Sequence, residues 1–170
     1  MRRFAKGLAE VGLDCELISG SGTGTYRRDA AGPYNELQVG SYVFMDSDYA
    51  RIVDESGAGP CFEPSLFVLA TAVSVNISGQ VTVDAGSKAL ATNGPPPCNL
   101  VGAPKGSSYR FAGDEHGIVT VPEGQKAPAL GDRLLIGATH CYPTVNLHAR
   151  YHVIDASQAE TWPIGARYND

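Results

Sequence analysis

Apolar residues recur at helical spacing at the start of the chain, where Phe4, Leu8 and Val11 share one face and Gly12 is placed to cap the helix. Directly after it, Cys15-Glu16-Leu17-Ile18 reads as a strand running into the glycine-rich stretch Ser19-Gly20-Ser21-Gly22-Thr23-Gly24-Thr25. From Leu37 onward the pattern changes to short runs rich in β-branched and aromatic residues. Val39 to Met45, Leu66 to Val75, Val81 to Asp84, Ile118 to Val121, Leu134 to Ala138 and Tyr151 to Ile154 are the strand candidates. Turn signals separate them: Gly57-Ala58-Gly59-Pro60, Ser78-Gly79, Gly94-Pro95-Pro96-Pro97, Pro122-Glu123-Gly124 and Gly131-Asp132.

These runs predict a mainly β chain, an antiparallel β barrel or sandwich, beginning at a boundary between residues 30 and 40. The helix, strand and glycine loop ahead of it have the order of an α/β-barrel unit. A (β/α)8 barrel takes roughly 250 residues, so residues 1–35 read as the last α/β unit of a truncated barrel and residues 36–170 as the β domain. No internal repeat is visible.

Composition narrows the class. The 170 residues are 43% apolar, enough to build a core, and 20 glycines with 11 prolines favour short strands and turns over long helices. With 13 Lys and Arg against 18 Asp and Glu the net charge is -5, and no basic run offers the footprint that nucleic-acid backbones require. The opening MRRFAKGLAEVG has a basic pair but no continuous apolar segment, and no stretch reaches membrane-spanning length, so a cytoplasmic protein without membrane association is expected. Cys15, Cys61, Cys98 and Cys141 are scattered, with no C-x-x-C pair, and read as reduced thiols rather than a zinc ribbon or a disulfide framework.

Two segments carry chemistry. In SGSGTGT, glycines let backbone N–H groups approach a phosphate, and the hydroxyls of Ser19, Ser21, Thr23 and Thr25 add potential donors. The lysine that marks a nucleotide P-loop is missing after the last glycine, which disfavours ATP. The second segment, Thr139 to His148 (THCYPTVNLH), puts possible metal ligands at the end of the strand-like run Leu134 to Ala138.

Taken in order, SGSGTGT, PYNELQVGSYVFMDSDY (Pro33 to Tyr49), DAGSK (Asp84 to Lys88), GPPP (Gly94 to Pro97), DEHG (Asp114 to Gly117), HCYPTVNLH and WPIGAR (Trp162 to Arg167) closely resemble the D-threonine aldolase and D-serine dehydratase-like family. The resemblance covers nearly the whole chain. It implies an alanine-racemase-like (fold-type III) pyridoxal-phosphate enzyme, with an N-terminal barrel and a C-terminal β domain, of which this chain is the C-terminal portion. It further implies that Ser21, Gly22, Thr23 and Gly24 cradle the cofactor phosphate through convergent N–H and O–H donors.

The family's metal motif is His-x-Asp or His-x-Cys, binding a divalent ion (Mn, Mg or Zn) beside the substrate hydroxyl. Here it reads His140-Cys141-Tyr142. On a strand, residues two apart face the same way, so His140 and Tyr142 share the ligand face, although a phenol seldom competes as a ligand at neutral pH. Cys141 points to the opposite face and becomes a ligand only if a bulge turns it. His140 is thus the expected catalytic ligand or base.

The resemblance places the Schiff-base lysine near the start of the barrel, leaving Lys88 as a surface or structural residue rather than the cofactor's amine. Glu115 or His116 could line the rim of the site. His148 and His152 read as solvent residues, and Trp162 with Pro163 closes the domain edge. The expected function is that of a lyase acting on a small D-3-hydroxy amino acid by retro-aldol cleavage; a D-serine dehydratase-like ammonia-lyase is the alternative. With the lysine absent, the isolated chain is expected to be inactive, as a truncated β module that needs a separate barrel chain or a homodimer partner.

Overall fold

The computed structural model describes residues 2–59, 61–98, 100–155 and 158–165. Pro60 of the first expected turn, Ala166 and Arg167 of the WPIGAR segment, and the chain ends of the two expected domains lie outside the described residues.

The first helix, α1, spans Arg2–Glu10. Its end is set by Gly12, which adopts φ +80, a conformation that costs a residue with a Cβ far more than glycine. The turn lets the Gly12 N–H reach the Ala9 carbonyl and the Leu13 N–H reach the Leu8 carbonyl, both at 3.0 Å, so two orphan carbonyls of the last helical turn are satisfied.

The strand expected over Cys15–Ile18 is shorter and later. Strand β1 is Ser19–Gly20, paired in parallel with β2, Glu36–Leu37. Ile18 bonds the chain entering β2, its N–H donating to Asn35 Oδ1 at 2.8 Å and its carbonyl accepting the N–H groups of Asn35 at 3.1 Å and Glu36 at 3.4 Å. Cys15 and Leu17 are exposed, with no neighbouring strand to take their backbone groups. The parallel pair joins residues from either side of residue 36. Between its strands lies the short helix α2, Tyr26–Asp29.

The run Val39 to Met45 is also not a strand. It forms a 3-10 turn over Ser41–Val43, in which the Ser41 carbonyl accepts the N–H groups of Phe44 at 3.2 Å and Met45 at 2.7 Å. The β propensity of Tyr42 and Val43 found no partner strand, and both side chains are exposed. A second such turn covers Tyr49–Arg51.

The centre of the molecule is a curled six-stranded antiparallel sheet of β3 (Phe67–Ser74), β4 (Gln80–Val83), β5 (Leu100–Val101), β6 (Ser108–Phe111), β7 (Gly117–Thr120) and β8 (Arg133–Gly137), in the order β5-β8-β3-β4-β7-β6. Strands β5 and β6 went unread in the sequence, being two and four residues long. Alternation along the strands turns Ala70, Ala72, Val81, Val83, Val119, Leu134 and Ile136 into one core with Leu90 and Tyr109. Each large aliphatic side chain there contributes about 1.5–3 kcal/mol. After β8 come helix α3 (Cys141–Asn146) and a separate hairpin of β9 (Arg150–Ile154) and β10 (Ala159–Pro163). Among the described residues no helix is long and apolar enough to cross a membrane.

Candidate active site

The glycine loop follows β1 directly. Ser21 takes φ +69, and the Thr25 N–H closes the turn on the Gly22 carbonyl at 3.0 Å. Gly24 has no room for a Cβ, which would collide with Ile52 and Tyr49, whereas open space lies where a Cβ of Gly22 would stand. The N–H groups of Gly22, Thr23 and Gly24 donate to no protein acceptor among the described residues. Three successive free donors beside an open glycine fit an anionic phosphate.

The loop hydroxyls are used differently from the sequence expectation. Ser19 Oγ donates to Glu36 at 2.5 Å, and Ser21 Oγ and Thr25 Oγ1 bond each other at 3.2 Å. The Asp29 carboxylate is held below its ordinary range, by the Thr25 hydroxyl above all, then by Arg28, whose Nε donates to Asp29 Oδ1 at 3.2 Å, and by Ser21. Thr23 is buried and its Oγ1 accepts the Tyr42 N–H at 3.2 Å. The backbone, more than the hydroxyls, is therefore what the loop offers to a ligand.

His140 lies in extended backbone as the residue before α3, and its Nδ1 is 2.9 Å from Asn93 Nδ2. The chain turns helical at Cys141, so the strand alternation expected for residues 140 to 142 does not exist. Pro143 marks the change, because at the third helical position its missing N–H would have had no helical partner. Tyr142 nevertheless stays beside His140, ring edge to ring face at 5.7 Å between centroids, and is 57% exposed. Cys141 is buried instead. Its N–H donates to Asp46 Oδ2 at 3.3 Å, its Sγ lies 3.7 Å from the Met45 carbonyl, and burial, with Asp46 beside it, pushes the thiol up to about 12.

The segment from Gly40 to Ser47 links the two halves. Its Tyr42 N–H is held by Thr23, its Gly40 abuts the Tyr142 hydroxyl, its Asp46 holds the start of α3, and its Ser47 N–H bonds the Ala138 carbonyl at 3.1 Å. Asn93, Asp46 and Gly40 were not read as site residues. Nothing in single-sequence patterning connects positions about 50 or 95 residues apart.

The remaining candidates fall elsewhere. Lys88 forms a surface ion pair with Glu115, and the backbone N–H groups of Ser87 and Lys88 bond the carbonyls of Gly113 and Asp114, packing DAGSK on DEHG. His116 and His152 are exposed. His148 departs from the solvent role expected of it: it is half-buried, its Nε2 bonded to the Ala89 carbonyl at 2.9 Å.

A divalent ion does not fit the residues of this chain as a phosphate does. Among the described residues no group of three or more His, Cys, Asp or Glu side chains converges on one point. The Cys141 thiol is buried, with Sγ 3.7 Å from the Met45 carbonyl and Asp46 beside it.

An alanine-racemase-like protein from Idiomarina loihiensis superimposes with a TM-score of 0.72 at 20% identity, covering 95% of this chain and 47% of that one, a likeness of fold. Residues 65–154 match the family described as "Putative serine dehydratase domain". The chain is 43% identical over 166 residues to a D-threonine aldolase from Arthrobacter sp, covering 96% of this chain and 43% of that protein. It is 39% identical over 166 residues to a 3-hydroxy-D-aspartate aldolase from Paracoccus denitrificans, covering 94% and 42%. The crystal structure of D-threonine aldolase from Filomicrobium marinum superimposes with a TM-score of 0.84 at 37% identity, covering 95% of this chain and 44% of that one. The chain belongs to the D-threonine aldolase and D-serine dehydratase-like family and spans less than half the length of these relatives.

Proposed function

We propose that the chain is the C-terminal part of a pyridoxal-phosphate lyase that cleaves D-3-hydroxy amino acids by retro-aldol chemistry. One observation carries the reading: the free N–H groups of Gly22, Thr23 and Gly24 are joined through Thr23 and Tyr42 to the segment whose Gly40 touches Tyr142, the neighbour of His140. A phosphate donor set and an imidazole are thereby held in one framework. The family relatives, aldolases on D-threonine and 3-hydroxy-D-aspartate, supply the reaction class.

In this reading the backbone of Gly22, Thr23 and Gly24 binds the cofactor phosphate. Bound pyridoxal phosphate supplies the electron sink for the pair released when Cα–Cβ breaks. His140 meets the β-oxygen of the substrate, orients it, and takes its proton during cleavage. Tyr142 covers one side of the imidazole and limits its rotation. The lysine amine that holds the cofactor covalently comes, by family resemblance, from the part of the relatives that this chain does not span. We place the enzyme in the cytoplasm, with a barrel chain or second subunit as its partner. No step is assigned to a divalent metal, because the ligand set here does not make a site for one.

The test is a chimera in which this chain replaces the matching C-terminal portion of the Arthrobacter D-threonine aldolase. Glycine and acetaldehyde should form from D-threonine, and His140→Ala should abolish them. Ammonia and 2-oxobutanoate instead would assign dehydration, and no turnover with either product would count against the proposal. The 170-residue chain by itself is expected to turn over neither D-threonine nor D-serine.

A further inference from the structure

We infer that Asn93 is the positioning residue for His140, holding the ring by Nδ1 and leaving Nε2 as its open nitrogen. The catalytic meaning of this inference rests on His140 being the group that meets the substrate's β-oxygen. The geometry stands apart from that reading. Asn93 Nδ2 lies 2.9 Å from His140 Nδ1, and the amide donates to that nitrogen or, turned by half a rotation, accepts from it, according to the ring tautomer. Nδ1 is therefore occupied by a protein group, and Nε2 is left as the working nitrogen.

The placement of Asn93 is built into the backbone. The next residue, Gly94, takes φ +133, a conformation a side chain rarely adopts, and a Cβ there would press on Thr139 Cγ2 at 3.2 Å. Glycine at 94 lets the loop close onto the Thr139-His140 segment and points residue 93 at the imidazole. On the other side, the Tyr142 ring stands edge-on at 81° to the imidazole plane. Held by an amide at one nitrogen and bounded by a phenol ring, His140 has one orientation to offer.

An amide suits this position for a chemical reason. With Nδ2 toward the ring, His140 is a donor at Nε2 and binds the β-oxygen without taking its proton. With the amide turned by half a rotation, Oδ1 accepts from Nδ1–H and the Nε2 lone pair opens as the base that cleavage needs. Asparagine can follow the ring through both neutral tautomers, whereas aspartate can only accept and alanine does neither.

The experiment is nitrogen NMR of the imidazole in the labelled 170-residue chain, comparing the parent with Asn93→Ala and Asn93→Asp. The parent should populate both neutral tautomers. Asn93→Asp should hold the proton on Nδ1, and Asn93→Ala should shift the tautomer ratio by roughly three- to tenfold, the range a single exposed hydrogen bond supports. Backbone amide spectra of β3 and β8 serve as the folding control, and Asn93→Gln provides a second variant that keeps the amide if either of the others fails to fold. A tautomer indifferent to residue 93 overturns the inference. If the chimera is inactive while the tautomer follows residue 93, the functional reading fails and this one stands; an active chimera with an indifferent tautomer gives the reverse.

Discussion

The Tyr142 hydroxyl occupies the space beside the Cα of Gly40, so that a side chain at position 40 and the phenol at position 142 cannot both stand where they are. This contact ties the segment that follows the glycine loop to the start of α3. Gly40→Ala should therefore move the Tyr142 ring off His140. Because the ring is more than half exposed and free to swing, the stability cost should be small, about 1 kcal/mol at the low end of overpacking effects. The loss of the edge-on contact is the sharper readout, as a change in ring-current shift on the His140 imidazole. Retention of that shift in Gly40→Ala would show that the contact does not position the ring.

The buried Cys141 thiol gives a pH dependence with a definite sign. Its value is raised from 9.0 to about 12, and that of Tyr109, whose hydroxyl donates to the Ala85 carbonyl at 2.7 Å, is raised from 10.0 to about 12. Both groups are acids held neutral in the folded chain, so above pH 9 the unfolded state binds fewer protons than the folded one. Stability is complete below pH 9 and falls as pH rises toward 12. Cys141→Ala should flatten the first part of that decline in denaturant titrations run at pH 8, 9, 10 and 11. An unchanged slope would mean that the thiol ionises freely in the folded chain.

The other three cysteines are exposed, and Cys61 has its ionisation favoured by the Tyr26 hydroxyl at 3.2 Å and then by Arg27. Alkylation of the native chain at neutral pH should modify Cys61 first, Cys15 and Cys98 next, and Cys141 only on unfolding. Peptide mapping reads the order directly, and early labelling of Cys141 would contradict its burial.

Thr139 Oγ1 is buried with no hydrogen-bond partner among the described residues. Replacing the hydroxyl by a methyl removes an unsatisfied polar atom, so Thr139→Val should leave stability unchanged or raise it by up to about 1–3 kcal/mol. A loss of more than about 1 kcal/mol in urea unfolding would show that the hydroxyl is bonded in solution.

The sheet was legible wherever alternation was strong. Val81 and Val83, Leu134 and Ile136, and the long run around Ala70 and Ala72 announce their strands because one face is fully buried. The helix end at Gly12 was legible from the same logic of local chemistry. What misled was propensity without a partner: Tyr42 and Val43 are good strand residues in a segment that only turns, and Cys15 and Leu17 are exposed ahead of the pairing that begins at Ser19. At the site, the glycine loop and His140 could be read as motifs. The helical start at Cys141 was announced by Pro143 but masked by the strand leading into it. Asn93 and Asp46 lie 47 and 95 residues from their partners in α3 and its leading residue, a separation that local pattern does not bridge.

Tyr142 also decides the metal question. Tyr142→Asp places a carboxylate on the residue already packed against His140, so zinc or manganese affinity should rise at least tenfold, and His140→Ala in the same chain should remove the gain. Cys141→Ser should have no effect on it. Tight binding by the parent chain that Cys141→Ser abolishes would instead make the buried thiol a ligand.

The account depends most on the phosphate cradle, and Gly22 allows it to be tested without disturbing the fold. A Cβ at position 22 enters open space with no atom within 4 Å, so Gly22→Val should fill the cradle at little cost to the packing. Pyridoxal phosphate is titrated into the labelled 170-residue chain and the backbone amides are followed. The account predicts saturable shifts concentrated at Gly22, Thr23 and Gly24 that inorganic phosphate reproduces in part and Gly22→Val eliminates. Shifts that are absent, that centre elsewhere, or that persist in Gly22→Val would contradict it.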